Sequence, residues 1–101
     1  MAILAMFRGD GFTKQMYEDL RKEVNWEQNH PAGVILHAAG LDNSGNIHVA
    51  DIWESEQDFN NYFSSILKPA FEKINAPIPK GEISQIHNVN AYLGIDTYRV
   101  K

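Results

Sequence analysis

The spacing of hydrophobic and polar positions along the chain changes between the two-residue period of strands and the 3.6-residue period of helices. Residues 2–8 form a short apolar run, which predicts a buried strand that ends at the polar turn 9–11. Residues 14–25 then place apolar side chains on one helical face, and Thr13 precedes them as a typical N-cap. The chain is therefore predicted to begin with a strand and a helix, and we assign Tyr17, on the apolar face, to the core between them.

The next segment, HAAGLDNSGNIHVADIWES, joins two mostly apolar runs through a polar turn. Residues 34–41 and 47–54 have the length and composition of strands. The turn DNSGN between them is rich in residues that tolerate a left-handed backbone. This pattern predicts a β-hairpin.

A second helix is predicted after the hairpin. It begins at Ser55, because Ser55 to Asp58 match a capping box. Its apolar stripe is Phe59, Phe63, Ile66, Leu67, Ala70, Phe71 and Ile74. Pro69 lies inside this stripe and is expected to kink or interrupt the helix near residues 67–68. Residues 82–92 alternate well enough to predict a final strand.

The resulting order, βαββαβ, predicts an α+β fold of the ferredoxin-like kind. In this fold a four-stranded antiparallel sheet, with strand order 4-1-3-2, carries two helices on one face. We expect residues 1–93 to form this domain and residues 94–101 to form a C-terminal tail. The other sheet face would be bare, so we expect a partner there, most simply a second copy in a homodimer.

Composition and charge narrow the possible functions. A chain of 101 residues is long enough for one domain and too short for two. It has no cysteine, which excludes disulfides, thiolate zinc sites and a thiol nucleophile. A net charge of −4 without a basic cluster argues against nucleic acid as a partner. No apolar stretch approaches the length of a membrane span, so we expect a cytoplasmic protein that binds neither nucleic acid nor membrane.

The hairpin register identifies the strongest candidate site. If Leu41 lies opposite Ile47, then His37 lies opposite Asp51, and Ile35 opposite Trp53. Two ionisable groups then share an otherwise apolar face. One interpretation is a catalytic pocket in which His37 is a general base or acid, Asp51 orients it and Trp53 forms a wall. The other is a polar pair that is merely satisfied, in the interior or at a dimer interface. The sequence leaves both open.

Two further side chains are candidates for substrate binding. Tyr62 lies off the main helical stripe and could project toward a cavity rim. His87, on the predicted last strand, could line the same cavity or contact a partner subunit. No two histidines have the spacing of a helical ligand pair, and His87 is expected two strands away from Asp51. We therefore predict neither a metal site nor a cofactor.

The strand and helix order, together with IWESEQDF and LKPAF, resembles the dimeric α/β-barrel superfamily, in particular small proteins of the antibiotic-biosynthesis-monooxygenase type. HAAG, the turn and VADIWES resemble an uncharacterised group within it. The resemblance implies that the sheets of two subunits face each other in a barrel, and that each subunit has a cavity between its own helices and sheet.

The same resemblance bears on activity. Haem-degrading members use an Asn on the first strand and a His on the second helix, and this chain has neither. Tyr62 stands about where those members carry a Trp. The resemblance therefore favours a cofactor-independent monooxygenase or isomerase that acts on a small aromatic or unsaturated molecule. The alternative is a non-catalytic module for small-ligand binding or stress response.

Overall fold

The computed structural model describes residues 1–100 and contains a four-stranded antiparallel sheet with helices packed against one face. The elements in chain order are β1 (Ile3–Thr13), α1 (Lys14–Val24), β2 (Val34–Leu41), β3 (Asn46–Trp53), α2 (Glu56–Tyr62), a π-helical turn (Phe63–Leu67), α3 (Lys68–Ile74), β4 (Lys80–Gln85) and α4 (Ile95–Tyr98). The strand order is β2-β3-β1-β4, which is the predicted order counted from the other edge. The predicted ferredoxin-like α+β fold is confirmed.

Two apolar clusters join the helices to the sheet. One contains buried residues of β1, α1, β3 and α3, namely Phe12, Leu20, Ile47, Ala70 and Phe71. The other joins β1 and β3 to α2 through Ile3, Ala5, Trp53 and Phe59. Because strand side chains alternate between the two faces, Asp51, which lies between Ile47 and Trp53 in the same phase, is directed toward the helices. The candidate pair therefore lies under the helices of its own chain.

The hairpin register is as predicted from the turn to the candidate pair, and differs beyond it. Leu41 pairs with Ile47, and His37 pairs with Asp51. The register shifts before Leu36, so that Val34 pairs with Trp53 where Ile35 was expected. Such a bulge places two residues of one strand opposite one of its neighbour. Val34 consequently packs beside Trp53 in the second cluster, while Ile35 is 51% exposed.

The first strand is longer than the apolar run predicted. It continues to Thr13 through an irregular pairing with β3 that begins after Arg8. Gly11 adopts φ +86, and its backbone N–H donates to the Asn46 side chain at 3.1 Å. The polar stretch 9–11 was predicted to end the strand, and that prediction is wrong: the strand continues through it, and Asn46 of β3 holds Gly11.

The last strand is shorter than predicted. It ends at Gln85, and the prediction of a strand over residues 82–92 is wrong. The chain instead leaves the sheet and covers part of the face opposite the helices, above a recess of about 610 Å³. Apolar sheet residues in this recess are Leu4, Leu36 and Ile52, and the covering segment contributes Ile86, Val89 and Ile95 among others. Any extended segment that lies with one side against a surface alternates apolar and polar residues, as a strand does. This explains why residues 86–92 were wrongly predicted to continue the strand.

The predicted interruption near Pro69 is present as a π-helical turn. Lys68 N–H donates to Phe63 O, five residues back. Phe63, Leu67 and Phe71 are spaced four residues apart, which would drift around a regular helix of 3.6 residues per turn. The wider π turn offsets this drift and keeps all three on the side that faces the sheet. No helix within residues 1–100 is both long enough and apolar enough to cross a lipid bilayer.

Candidate functional site

An open cavity lies between the helices and the sheet and extends to the segment after β4, where Val89, Ile95 and Tyr98 line it; its whole volume is about 1070 Å³. Most of its wall is apolar, and its aromatic members include Phe7, Phe12, Tyr17, Trp26, Trp53 and Phe59. Its polar side chains include His37, Asp51 and Tyr62, together with Arg21, Glu27, Gln28, His30 and Arg99. A largely apolar cavity with a few convergent polar groups is the usual form of a small-molecule site.

Asp51 and His37 form a close pair in this wall. Neighbouring positions on β2 and β3 bring Asp51 Oδ1 to 2.6 Å from His37 Nδ1. The Asp51 side chain is 9% exposed and that of His37 is 30% exposed. Asp51 Oδ2 accepts a hydrogen bond from Trp53 Nε1 at 3.3 Å. Both carboxylate oxygens therefore have a donor, which is what a buried charged group requires.

The second ring nitrogen of His37 is also occupied. Tyr17 Oη lies 2.7 Å from His37 Nε2. Since the Asp51 carboxylate accepts from Nδ1–H, Nε2 of the neutral imidazole is an acceptor and the Tyr17 hydroxyl donates to it. The two ring planes are parallel within 1°. Asp51, His37 and Tyr17 thus form one hydrogen-bonded chain across β3, β2 and α1.

Tyr17 is the member of this chain that the sequence did not reveal. It was assigned to the core because it lies on the apolar face of α1, and half of that assignment holds, since it packs near Phe12 and Trp26. Its hydroxyl was the available signal: it is the only hydroxyl on that helical stripe, and a buried hydroxyl normally has a partner. Sequence spacing could not identify His37 as that partner, because the two belong to different elements.

Trp26 lines the cavity beside the chain of hydrogen bonds. Its ring centroid lies 5.5 Å from that of Tyr17 and 5.3 Å from that of His37. It follows Asn25, which ends α1 in the left-handed conformation and turns the chain back toward the sheet. Trp26 therefore forms the cavity wall beside the two hydrogen-bonded rings.

Tyr62 provides a different polar group. Its ring packs against Trp53 with centroids 5.6 Å apart. Its hydroxyl is buried and has no hydrogen-bond partner within the described residues. Burial, reinforced by the negative charge of Asp51, raises the pKa of Tyr62 to about 12. The side chain is thus a protonated donor that lacks an acceptor.

Burial acts on Tyr17 in the same direction. It raises the pKa of Tyr17 to about 12, against the opposing effect of the positive charge of Arg21. Glu27, Glu18 and Asp51 add to the increase through their negative charges. At neutral pH the Tyr17 hydroxyl therefore holds its proton and serves as a donor.

The structure brings four of the five predicted site residues to one cavity. His37, Asp51, Trp53 and Tyr62 line it together. His87 lies in the exposed segment beyond β4 and is absent from the lining of both the cavity and the open-face recess. The substrate-binding role of His87 stays a prediction, and the cavity does not support it, because the strand that was to carry it ends at Gln85.

Within residues 1–100, no three side chains of His, Cys, Asp or Glu are grouped so as to hold a metal ion. The hydrogen bonds of His37 are made to one carboxylate and one phenol. The arrangement is suited to moving a proton.

Comparison with known proteins gives structural matches alone. No family model matches the sequence, and no curated protein matches it. A proposed antibiotic biosynthesis monooxygenase from Chloroflexus aurantiacus is 10% identical, with a TM-score of 0.64 over 90% of this chain and 98% of that one. A second, from Deinococcus radiodurans, is 13% identical, with a TM-score of 0.60 over 93% and 100%.

A third match is the ActVA-Orf6 monooxygenase of Streptomyces coelicolor, solved in complex with Nanaomycin D. It is 18% identical, with a TM-score of 0.58 over 90% of each chain. Identities this low establish the fold and leave the activity open. The resemblance seen in the sequence is confirmed at this level: the chain has the ferredoxin-like α+β fold of the antibiotic-biosynthesis-monooxygenase-like structures.

Proposed function

We propose that this protein binds a small aromatic or unsaturated molecule and removes a proton from it, as a cofactor-independent monooxygenase or isomerase. The observation that carries the proposal is the hydrogen-bonded chain of Asp51, His37 and Tyr17 in the wall of an aromatic cavity. A histidine held by a buried carboxylate is a common general base at neutral pH.

Each member of the pair has a defined task in this proposal. Asp51 holds the His37 ring in one tautomer through Nδ1 and stabilises the imidazolium that forms when His37 accepts a proton. The Trp53 indole N–H fixes the other carboxylate oxygen, so Asp51 cannot turn away from His37. A base whose orientation is fixed loses little freedom during the proton transfer.

Removal of the proton makes the bound molecule electron-rich, and two balanced reactions can follow. In an isomerisation, the same proton returns at another carbon of the molecule. In an oxygenation, the anion reduces O₂, so that a CH₂ group becomes a carbonyl, one oxygen atom enters the product and the other leaves as water. Both outcomes require the same base.

The remaining cavity wall supports an aromatic ligand. Trp53 and Tyr62 offer flat apolar surfaces against which an aromatic ring can stack. The unpartnered Tyr62 hydroxyl can donate to a ligand carbonyl, and a buried donor without an acceptor is disfavoured by about 1–3 kcal/mol. The Streptomyces coelicolor monooxygenase of the same fold was solved with the organic ligand Nanaomycin D, which supports a ligand of this general kind.

A second candidate function is binding without chemistry, as a small-ligand or stress-response module. One observation favours it: both nitrogens of His37 already have partners, as in a purely structural polar cluster. Under this alternative the cavity still takes an aromatic molecule, but His37 only satisfies Asp51. The two candidates therefore predict the same binding and different turnover.

We further propose that the protein acts as a homodimer in the cytoplasm. The sheet face opposite the helices exposes apolar side chains such as Met6 at 52%, which a second copy would cover. The chain has no cysteine, so an oxidising compartment would add nothing to its stability.

The test uses 1,8-dihydroxy-9-anthrone, an aromatic molecule with acidic hydroxyl and CH₂ groups. Its conversion to the quinone is followed by absorbance and by oxygen uptake, with the rate in buffer subtracted. We expect turnover by the wild-type protein and a loss of about 100-fold in His37→Gln. His48→Gln is the matched control, because His48, on β3, does not line the cavity and pairs through Nε2 with Asp42 at 2.7 Å.

The outcomes separate the candidates. Turnover that is lost in His37→Gln and retained in His48→Gln supports the catalytic function. Binding of the anthrone, seen as quenching of tryptophan fluorescence, without turnover supports the binding module. Equal turnover in wild type and His37→Gln contradicts the assignment of His37 as the base.

A further inference from the structure

We infer that Tyr17, rather than His37, is the residue that contacts the acidic hydroxyl of the ligand, and that the proton reaches His37 through the Tyr17 hydroxyl. The inference rests on the proposed function and goes beyond it in naming the atom that faces the ligand. It makes Tyr17 the catalytic residue, and it makes His37 the proton acceptor behind it.

Both ring nitrogens of His37 already have hydrogen-bond partners. Nδ1 is taken by Asp51 at 2.6 Å and Nε2 by Tyr17 at 2.7 Å. The remaining edge of the ring presents only C–H groups, which cannot accept a proton. A ligand in the cavity therefore finds no free basic atom on His37. The nearest hydrogen-bonding atom connected to that base is Tyr17 Oη, whose own proton points toward Nε2 and whose lone pairs remain available.

The atoms and charges of this proton transfer balance, and Tyr17 does not have to exist as a phenolate at any stage. The O–H bond of the ligand breaks, and its proton bonds to Tyr17 Oη. In the same event the original Tyr17 proton moves to His37 Nε2, so His37 becomes an imidazolium paired with Asp51. The ligand is left as an oxyanion, and Tyr17 is neutral before and after. This matters because burial makes free ionisation of Tyr17 unfavourable, with a pKa of about 12.

The surroundings of Tyr17 support a short internal path. Phe12 and Trp26 pack against its ring, with centroids 6.4 and 5.5 Å away. The charged groups that influence it are Arg21 and Glu18 on α1, Glu27 in the following loop and Asp51 on β3. Of these, only Arg21 is positive, and its guanidinium is bonded to Glu27. The arrangement favours passing the proton on to His37 over holding a negative charge on Tyr17.

The decisive variant is Tyr17→Phe, because the two models predict opposite signs. If the proton passes through Tyr17, turnover of 1,8-dihydroxy-9-anthrone falls about 100-fold while the dissociation constant changes little. If His37 acts directly, Tyr17→Phe exposes Nε2, and turnover is unchanged or higher. Tyr92→Phe is the control, since Tyr92 is 75% exposed and removed from the cavity. Its turnover is expected to equal that of wild type.

A second variant separates a proton relay from a structural contact. Placing 3,5-difluorotyrosine at position 17 alone keeps the shape and the hydrogen bond and lowers the phenol pKa from its ordinary value of about 10. A relay adds a new ionisation to the pH–rate profile, whereas a packing role leaves the profile unchanged. This variant also decides the matter if Tyr17→Phe does not fold, as judged by circular dichroism.

The results distinguish this inference from the proposed function. Loss of turnover in His37→Gln together with full turnover in Tyr17→Phe overturns the inference alone. Full turnover in both variants, or none in the wild type, overturns the proposed function and the inference with it. Loss in both, with the altered pH profile at position 17, supports the relay.

Discussion

A carboxylate that lies among Trp53, Phe59 and Ala5 is stable there because every one of its oxygens has a donor. Asp51 is 7% exposed, and its two carboxylate oxygens accept hydrogen bonds from His37 and from the Trp53 indole N–H. Hydrogen bonds to charged groups contribute more than neutral ones, and loss of one partner leaves a buried group without compensation. The same contacts that orient the proposed base therefore also stabilise the fold.

Asp51→Ala should be strongly destabilising for this reason. It leaves the Trp53 N–H without an acceptor and opens space at β3, so we expect a loss of about 2–4 kcal/mol in the free energy of unfolding. Urea denaturation followed by tryptophan fluorescence measures it. Asp96→Ala removes the carboxylate of an exposed ion pair with Arg99 and should change stability far less. Similar losses in the two variants would contradict a structural role for the Asp51 hydrogen bonds.

The buried phenols predict how stability depends on alkaline pH. Folding raises the pKa of both Tyr17 and Tyr62 to about 12, above the value in the unfolded chain. Their contribution to stability is therefore complete below the unfolded pKa of about 10 and is lost as pH rises through the folded pKa. Urea midpoints measured between these two pKa values should decline. The decline should be shallower in the double variant Tyr17→Phe, Tyr62→Phe; an equal slope would show that these phenols do not titrate with folding.

Among the helices and strands, the sequence predicted correctly those features that are set by residues close together in the chain. The caps at Thr13 and Ser55 were recognised because each acts on backbone three residues away, and both are present. The hairpin was recognised because its turn fixes the register of the residues next to it. The bulge before Leu36 and the end of β4 depend on what packs above the sheet, so no local pattern encoded them. For the same reason the His37–Asp51 pair could be predicted, and its partner Tyr17 on another element could not.

The N-cap of α1 should matter for both stability and the site. Thr13 Oγ1 accepts from Met16 N–H at 3.2 Å, and Tyr17 follows one residue later. We expect Thr13→Ala to lower the free energy of unfolding by about 1 kcal/mol. Ser64→Ala, at an exposed position, is the control and should be neutral within the error of urea denaturation. A neutral Thr13→Ala would mean that β1 and the core hold the start of α1 without the cap.

The whole molecule has a sheet with two unlike faces. One packs against α1, α2 and α3 and contains the cavity with its chain of hydrogen bonds. The other is covered only in part, by the segment that follows β4, and that segment exposes Tyr92, Leu93 and Tyr98. A large apolar surface left to solvent is disfavoured, and association of two copies removes it. The proposed chemistry therefore lies on one face, and the proposed self-association on the other.

This separation leads to a prediction about assembly. At micromolar concentration, sedimentation equilibrium should give twice the mass of the chain. Met6→Glu places a charge on the open sheet face and should shift the protein toward the monomer, because a charge buried in an apolar interface without a partner is strongly unfavourable. Ile66→Glu is the matched control: Ile66 is also an exposed apolar residue, at 43%, but it lies in the π-helical turn on the helical side. It should leave the dimer intact. A wild-type monomer, or equal dissociation of both variants, would contradict association through the open face, while turnover by a monomeric Met6→Glu protein would show that each cavity works within a single chain.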